Sequence, residues 1–106
     1  SIGKKFTFMV EPDQPGFFTG MSLVNVSDEF GEISITNAST GVSTQITLQP
    51  RSKFLSLVDV LVSITSYQTP LIISADIDIS VLALRGSIPG GANPILYHID
   101  TEPLDE

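Results

Sequence analysis

Apolar and polar residues alternate with a period of two along most of this chain, the pattern of β-strands with one buried and one wet face. Residues 72–86 (IISADIDISVLALRG) organise the rest. They hold two apolar runs separated by Ala75-Asp76, each too short for a helix and rich in the β-branched residues that suit a pleated surface. Ile77, Ile79 and Val81 share one parity against Asp78 and Ser80, whereas Leu82 and Leu84 fall on the opposite one. Either a bulge shifts the register after Val81, or the second half of the strand is covered on both faces. A central strand is expected here, its cover supplied by the flanking segments, with Ile77, Ile79 and Val81 in the core.

The other segments follow the same rule. Residues 4–10 (KKFTFMV) place Phe6, Phe8 and Val10 on one face of a strand, and residues 17–26 (FFTGMSLVNV) form a longer strand in which Gly20 marks a bend or a close neighbour. An acidic turn at 28–31 leads into residues 32–36, with Ile33 and Ile35 inward. A loop at 37–41 then returns the chain through 42–48, with Val42, Ile46 and Leu48 on one face, the clearest hairpin in the sequence. Residues 53–63 (KFLSLVDVLVS) carry both helical and strand spacing and are expected as a strand tightening into a helical turn. A strand at 71–74 precedes the central one. A long turn at 87–94 and a last strand at 95–100 follow it, and residues 101–106 (TEPLDE) read as an acidic tail or linker. About eight short strands in a single domain over residues 1–100 predict an all-β fold, an antiparallel β-sandwich of immunoglobulin-like or jelly-roll-like connectivity.

Composition narrows the function. The chain has 106 residues, enough for one core without metal or disulfide support, and only 16% of them are charged, with Ser and Thr filling polar positions instead. The formal net charge of −7 leaves no basic stripe, so neither nucleic acid nor an anionic membrane is an expected partner. No apolar run approaches the length of a bilayer span, so membrane insertion is not expected either. With no cysteine, thiolate metal sites, disulfides and cysteine nucleophiles are excluded. The chain opens on Ser1 rather than methionine, which points to a processed or excised piece of a longer precursor.

Three stretches carry a family resemblance: GFFTGMSLVNVSD at 16–28, LQPRSKFLSLVDVL at 48–61 and IISADIDISVLALRG at 72–86. Together they resemble repeated modules of roughly this length in large secreted bacterial proteins. Those modules carry an aromatic-rich "FTG-aliphatic-NP" strand, an "L-x-P-G-G" turn before an aliphatic segment, and a late step into "A-L-x-G". Val26 departs from the pattern where the modules have proline, and Arg51-Ser52 where they have a glycine pair. The resemblance implies a surface-exposed β-sandwich with no attributed catalytic residues and no particular ligand.

Candidate chemistry is sparse. His98, the single histidine, has no recognisable nucleophile or orienting partner, and Asp13 and Asp59 are isolated acids. Asp76 and Asp78 share a parity, which sets their Cα atoms about 6.6 Å apart, and Asp28, Glu29 and Glu32 crowd one turn. Calcium needs six to eight oxygens, and neither group has the spacing of a known calcium loop. No metal or cofactor is therefore expected, and Asp76, Asp78 and Asp28 are the residues to watch if calcium binds. Asn25-Val26-Ser27 and Asn37-Ala38-Ser39 fit the N-glycosylation sequon. Phe17, Phe18, Tyr67 and Tyr97 offer rings for sugar stacking, although tryptophan is absent and core packing accounts for the phenylalanines.

These features favour a non-catalytic, extracellular or cell-surface structural module: a self-associating subunit or repeat of a surface or filamentous assembly, whose partners are other copies of itself or neighbouring modules. Phe6, Phe8 and Val10, on a terminal strand able to join another copy's sheet edge, are its expected interaction residues. The competing class is a carbohydrate- or calcium-binding module of a secreted protein. An enzyme is not expected.

Overall fold

The computed structural model of the chain describes residues 2–11, 17–65, 69–87, 95–99 and 102–103, those at 17, 87, 95–99 and 102–103 through their backbone. The alternating segments form an antiparallel sheet. Its strands are β1 (Ile2–Val10), β2 (Phe17–Asn25), β3 (Gly31–Asn37), β4 (Ser43–Leu48), β5 (Lys53–Leu57), β6 (Thr69–Ser87), β7 (Ile95–Ile99) and the short β8 (Glu102–Pro103), with one helical turn, α1 (Val58–Leu61), after β5.

The expected central strand and the short strand before it are one element. β6 runs for 19 residues, straight through Ala75-Asp76. On one side of it lie β1, opposite residues 69–80, and β7, opposite 83–87. On its other side lie β3, opposite 71–75, and β2, opposite 79–87. All four flanking ladders skip residues 76–78, and β1 crosses the gap by a register shift between Gly3 and Lys5. That gap is a corner. Before it, β6 belongs to a limb ordered β4-β3-β6-β1-β8; after it, β6 lies between β2 and β7, and β5 is the outer neighbour of β2.

The sheet curls at the corner so that both limbs turn their apolar parity onto one cluster. Phe6, Phe8 and Val10 enter it from β1, Met21 and Leu23 from β2, Ile33 and Ile35 from β3, and Leu71, Ile73, Ile77, Ile79 and Val81 from β6. Each such side chain contributes about 1.5–3 kcal/mol by leaving water. Residues 58–64 plug the mouth between the limbs: Val58, Val62 and Ile64 are buried, and Asp59 accepts the Ile64 N–H at 2.8 Å. The plug is tied to the first limb by Thr44 Oγ1 donating to Leu61 O (2.6 Å) and Asn37 Nδ2 donating to Ser63 O (3.0 Å).

Several expectations change in detail. Val42, expected on the inner face of its strand, lies outside β4 and is exposed, because the turn at 38–40 delays pairing until Ser43 meets Thr36. Glu102 and Pro103, expected in the tail, pair with Thr7 and Phe6 of β1. The register of β6 against β2 is unbroken from Ile79 to Ser87, so no bulge explains Leu82 and Leu84. They face outward.

The corner depends on a missing side chain. A Cβ on Gly31 would overlap Cγ1 and Cδ1 of Ile77, which is itself buried in the corner. Gly31→Ala should therefore cost about 1–3 kcal/mol, the usual range for overpacking. A urea titration checks this; an unchanged midpoint would mean that Ile77 moves aside freely.

Candidate functional site

The outward faces of the two limbs differ in chemistry. On the first limb, hydroxyls and amides form cross-strand rungs. Thr36 and Ser43 share a hydrogen bond (3.0 Å), Thr47 Oγ1 donates to Glu32 Oε1 (2.8 Å), and Thr7 Oγ1 donates to Leu71 O (3.0 Å).

The second limb presents leucines. In its register Leu57, Gly20 and Leu84 form one row across β5, β2 and β6, and Leu55, Ser22 and Leu82 form the next. The middle strand thus carries a glycine and a serine between walls of leucine. Strands lie about 4.8 Å apart, so the result is a trough with a ridge on each side. Phe18 closes one end, its ring lying where a Cβ on Gly86 would sit. Lys53 stands near the other end, beside Val24. The open groove encloses about 520 Å³ and is lined by Phe18, Gly20, Ser22, Lys53, Leu55, Leu82 and Leu84, among others. Leu55 is 66% exposed and Leu82 42%, large values for leucines at the middle of strands.

The sequence-predicted residues lie elsewhere. Phe6, Phe8 and Val10 are 0%, 4% and 1% exposed in the core of their own chain, so their side chains have no free surface to offer a second copy. β1 pairs with β6 over most of its length and with β8 at Phe6 and Thr7. The physical reason is simple: the strand's apolar face was needed to cover residues 69–73 of β6.

Two of the candidate carboxylates, those of Asp76 and Asp28, make structural bonds. Asp76 Oδ1 accepts the Glu32 N–H (2.9 Å), and Asp28 forms an exposed ion pair with Arg51 (3.0 Å). The Asp78 carbonyl accepts the Val26 N–H (3.4 Å), a bond that proline could not make. No cluster of three His, Cys, Asp or Glu suited to a metal occurs among the described residues. Millimolar EDTA should leave the melting temperature unchanged; a fall of several degrees that calcium restores would make Asp76, Asp78 and Asp28 ligands after all. Asp13, Tyr67 and the side chains of Phe17, Tyr97 and His98 lie outside the described residues.

Both sequon asparagines are buried pins. Asn25 Oδ1 accepts the N–H and hydroxyl of Ser27, while Nδ2 donates to the carbonyls of Glu29, Leu48 and Gln49 at 2.7, 3.3 and 3.1 Å. Asn37 Oδ1 accepts the N–H groups of Ser39 and Thr40, while Nδ2 reaches Ser63 O. In the folded chain the nitrogen that a glycan would occupy is engaged at both sites. Ser27 and Ser39 complete Asx turns. Arg85, which sequence reasoning did not single out, is also inward and buried; its Nη1 donates to Thr19 Oγ1 (2.7 Å) and Glu11 O (3.2 Å).

Fold and groove together define an all-β chain with a curled antiparallel sheet and an apolar outer trough. No protein-family model matches the sequence, and no curated protein matches it. Among solved structures the chain is similar to the crystal structure of Thermotoga maritima 1070. The TM-score is 0.71 with 10% sequence identity, over 92% of this chain and 93% of that one. At that identity the likeness concerns the fold alone.

Proposed function

We propose that this chain is a non-catalytic structural and interaction module, displayed outside the cell or at its surface, that associates with other copies of itself or with neighbouring modules. The observation that carries this is the leucine-walled groove on the second limb. Contiguous apolar surface around a depression, on a chain whose opposite face is hydroxyl-lined, marks a face meant to be covered. The three stretches that resemble repeated modules of secreted bacterial proteins support the placement in a surface or filamentous assembly. On this reading the two limbs of the curled sheet serve as the two layers of a sandwich-like domain.

A second reading, a binding module for a small ligand such as a carbohydrate, draws on the groove's volume of about 520 Å³, within the usual range for ligand pockets. It is the weaker one, because the groove offers few polar groups to orient hydroxyls and Phe18 as its aromatic. Size-exclusion chromatography with light scattering separates the two. Concentration-dependent dimers or larger species support the assembly reading. A strict monomer whose melting temperature rises with glycans or calcium overturns it in favour of the binding module.

A further inference from the structure

We propose that the occupant of the groove is a second copy of the same chain, the two faces packed so that the Leu82-Leu84 ridge of each enters the Gly20-Ser22 trough of the other. This rests on reading the groove as an interaction surface, and it specifies the partner and the geometry.

Charge supplies the first argument. Two copies each carrying a formal charge of −7 repel one another wherever carboxylates meet. None of the groove's lining residues is acidic, and the charge among them is that of Lys53. The described acids sit elsewhere: Glu11 beside Arg85, Asp28 to Glu32 in the β2–β3 turn, Asp59 in the plug, and Asp76 and Asp78 at the corner. Among the described side chains, the leucine face is therefore where like-charged copies approach with least repulsion.

Relief supplies the second. Ridge and trough are neighbouring strands, and Ser22 pairs with Leu82 and Gly20 with Leu84 in the same rows. A two-fold axis along the strands, midway between β2 and β6, lays each trough over the partner's ridge without changing the row. Leu82 then faces the partner's Ser22, and Leu84 the partner's Gly20. Turning the axis across the strands would stack ridge on ridge and trough on trough, leaving clashes and voids. Isologous contacts require this kind of self-complementarity.

Area sets the strength. The β2–β6 pair of each copy, overlapping by five residues, gives a contact of about 10 by 17 Å, well under the roughly 800 Å² per partner of a stable complex. The expected dimer is dissociable. It becomes firm where copies are tethered in series or in an assembly, since linkage raises the effective concentration to the millimolar range.

The chain has no cysteine, so introduced thiols report without background. Ser22→Cys and Leu82→Cys variants, mixed and oxidised gently, should form the intermolecular disulfide between the two variants. Mixing Ser22→Cys with Gln45→Cys, on the hydroxyl face, should give at least ten-fold less. In sedimentation, Leu82→Asp and Ser22→Arg should weaken wild-type self-association at least ten-fold with unchanged circular dichroism, and Gln45→Arg should leave it as it was. Self-association that survives both groove variants overturns this pairing while sparing the assembly reading. A wild-type chain that is monomeric at about 1 mM, above the range of specific dimers, overturns both.

Discussion

Asn25→Asp is expected to cost the fold at least about 3 kcal/mol at neutral pH, from a change of one atom. The side-chain nitrogen at this position donates to three backbone carbonyls, Glu29, Leu48 and Gln49, with the residue 0% exposed. Those carbonyls come from the β2–β3 turn and from the end of β4, so a single amide joins two connections that are distant in sequence. A carboxylate there donates nothing. It takes a donor from the Leu48 carbonyl in the interior, at about 1–3 kcal/mol for such a group, while Glu29 O and Gln49 O keep donors from Ser27 and Ser52. It also adds a buried negative charge facing carbonyl oxygens. Against the 5–15 kcal/mol that holds a domain of this size, the variant is near the edge of folding. The sign of the pH response separates charge from shape. A carboxyl in this place has its folded pKa raised above its unfolded value, so its protonated form is favoured by folding. The lost stability should return in part as pH falls toward the unfolded carboxylate value near 4, and be lost again as pH rises. Asn25→Ala, with no proton to gain, should be destabilised at all pH values. Denaturant titrations of both variants between pH 3.5 and 7 check this, and a flat profile for Asn25→Asp would show that the carbonyl cluster is not what holds the position.

How much of this was legible before the fold depends on the range of the interaction. Alternation alone placed Phe6, Phe8, Ile33, Ile35, Ile77, Ile79 and Val81 inward, because a strand's parity is a local property. The helical turn after Leu57 was also readable from its mixed spacing. The unity of β6 was not. Ala75-Asp76 interrupts the apolar run as a turn would, and only the flanking ladders that skip residues 76–78 turn it into a corner within one strand. Leu82 and Leu84 gave a true signal of a second apolar face. What the sequence lacked was the register that sets them beside Ser22 and Gly20, and hence the groove. Asn25 and Asn37 carried the Asn-x-Ser spacing of Asx turns, which a sequon shares. Their bonds to Leu48, Gln49 and Ser63 reach residues more than twenty positions away and could not be read locally. Arg51 tells the same story from the other side. It has φ 60° in the turn closed by Ser52 N–H donating to Gln49 O, and it stands where the resembling modules have glycine, the residue that this conformation favours.

Phe6→Ala should destabilise the monomer by about 3–5 kcal/mol, as truncation of a fully buried phenylalanine does, and it decides between two roles for β1. The ring is 0% exposed and sits in the cluster with Leu71, Ile73 and Ile79. Its strand closes the first limb of the sheet against β6 through the pairing of Phe6 with Ile73. Had the terminal strand served chiefly to bridge copies, removing its ring would spare the monomer and abolish association. The buried placement predicts the reverse: a large loss of stability, with any association that remains scaling with the folded fraction. Because the alanine variant could fall below the folding threshold, Phe6→Leu provides the milder comparison. It keeps most of the volume, should cost about 1–2 kcal/mol, and should associate like wild type once folded. Leu82→Asp should show the complementary behaviour, with stability nearly intact and association lost, because an outward leucine contributes little to its own core. Equilibrium unfolding and sedimentation on the same three variants complete the comparison. If Phe6→Leu loses association while its unfolding midpoint stays at the wild-type value, β1 is an interface strand and the groove on the second limb is not the contact.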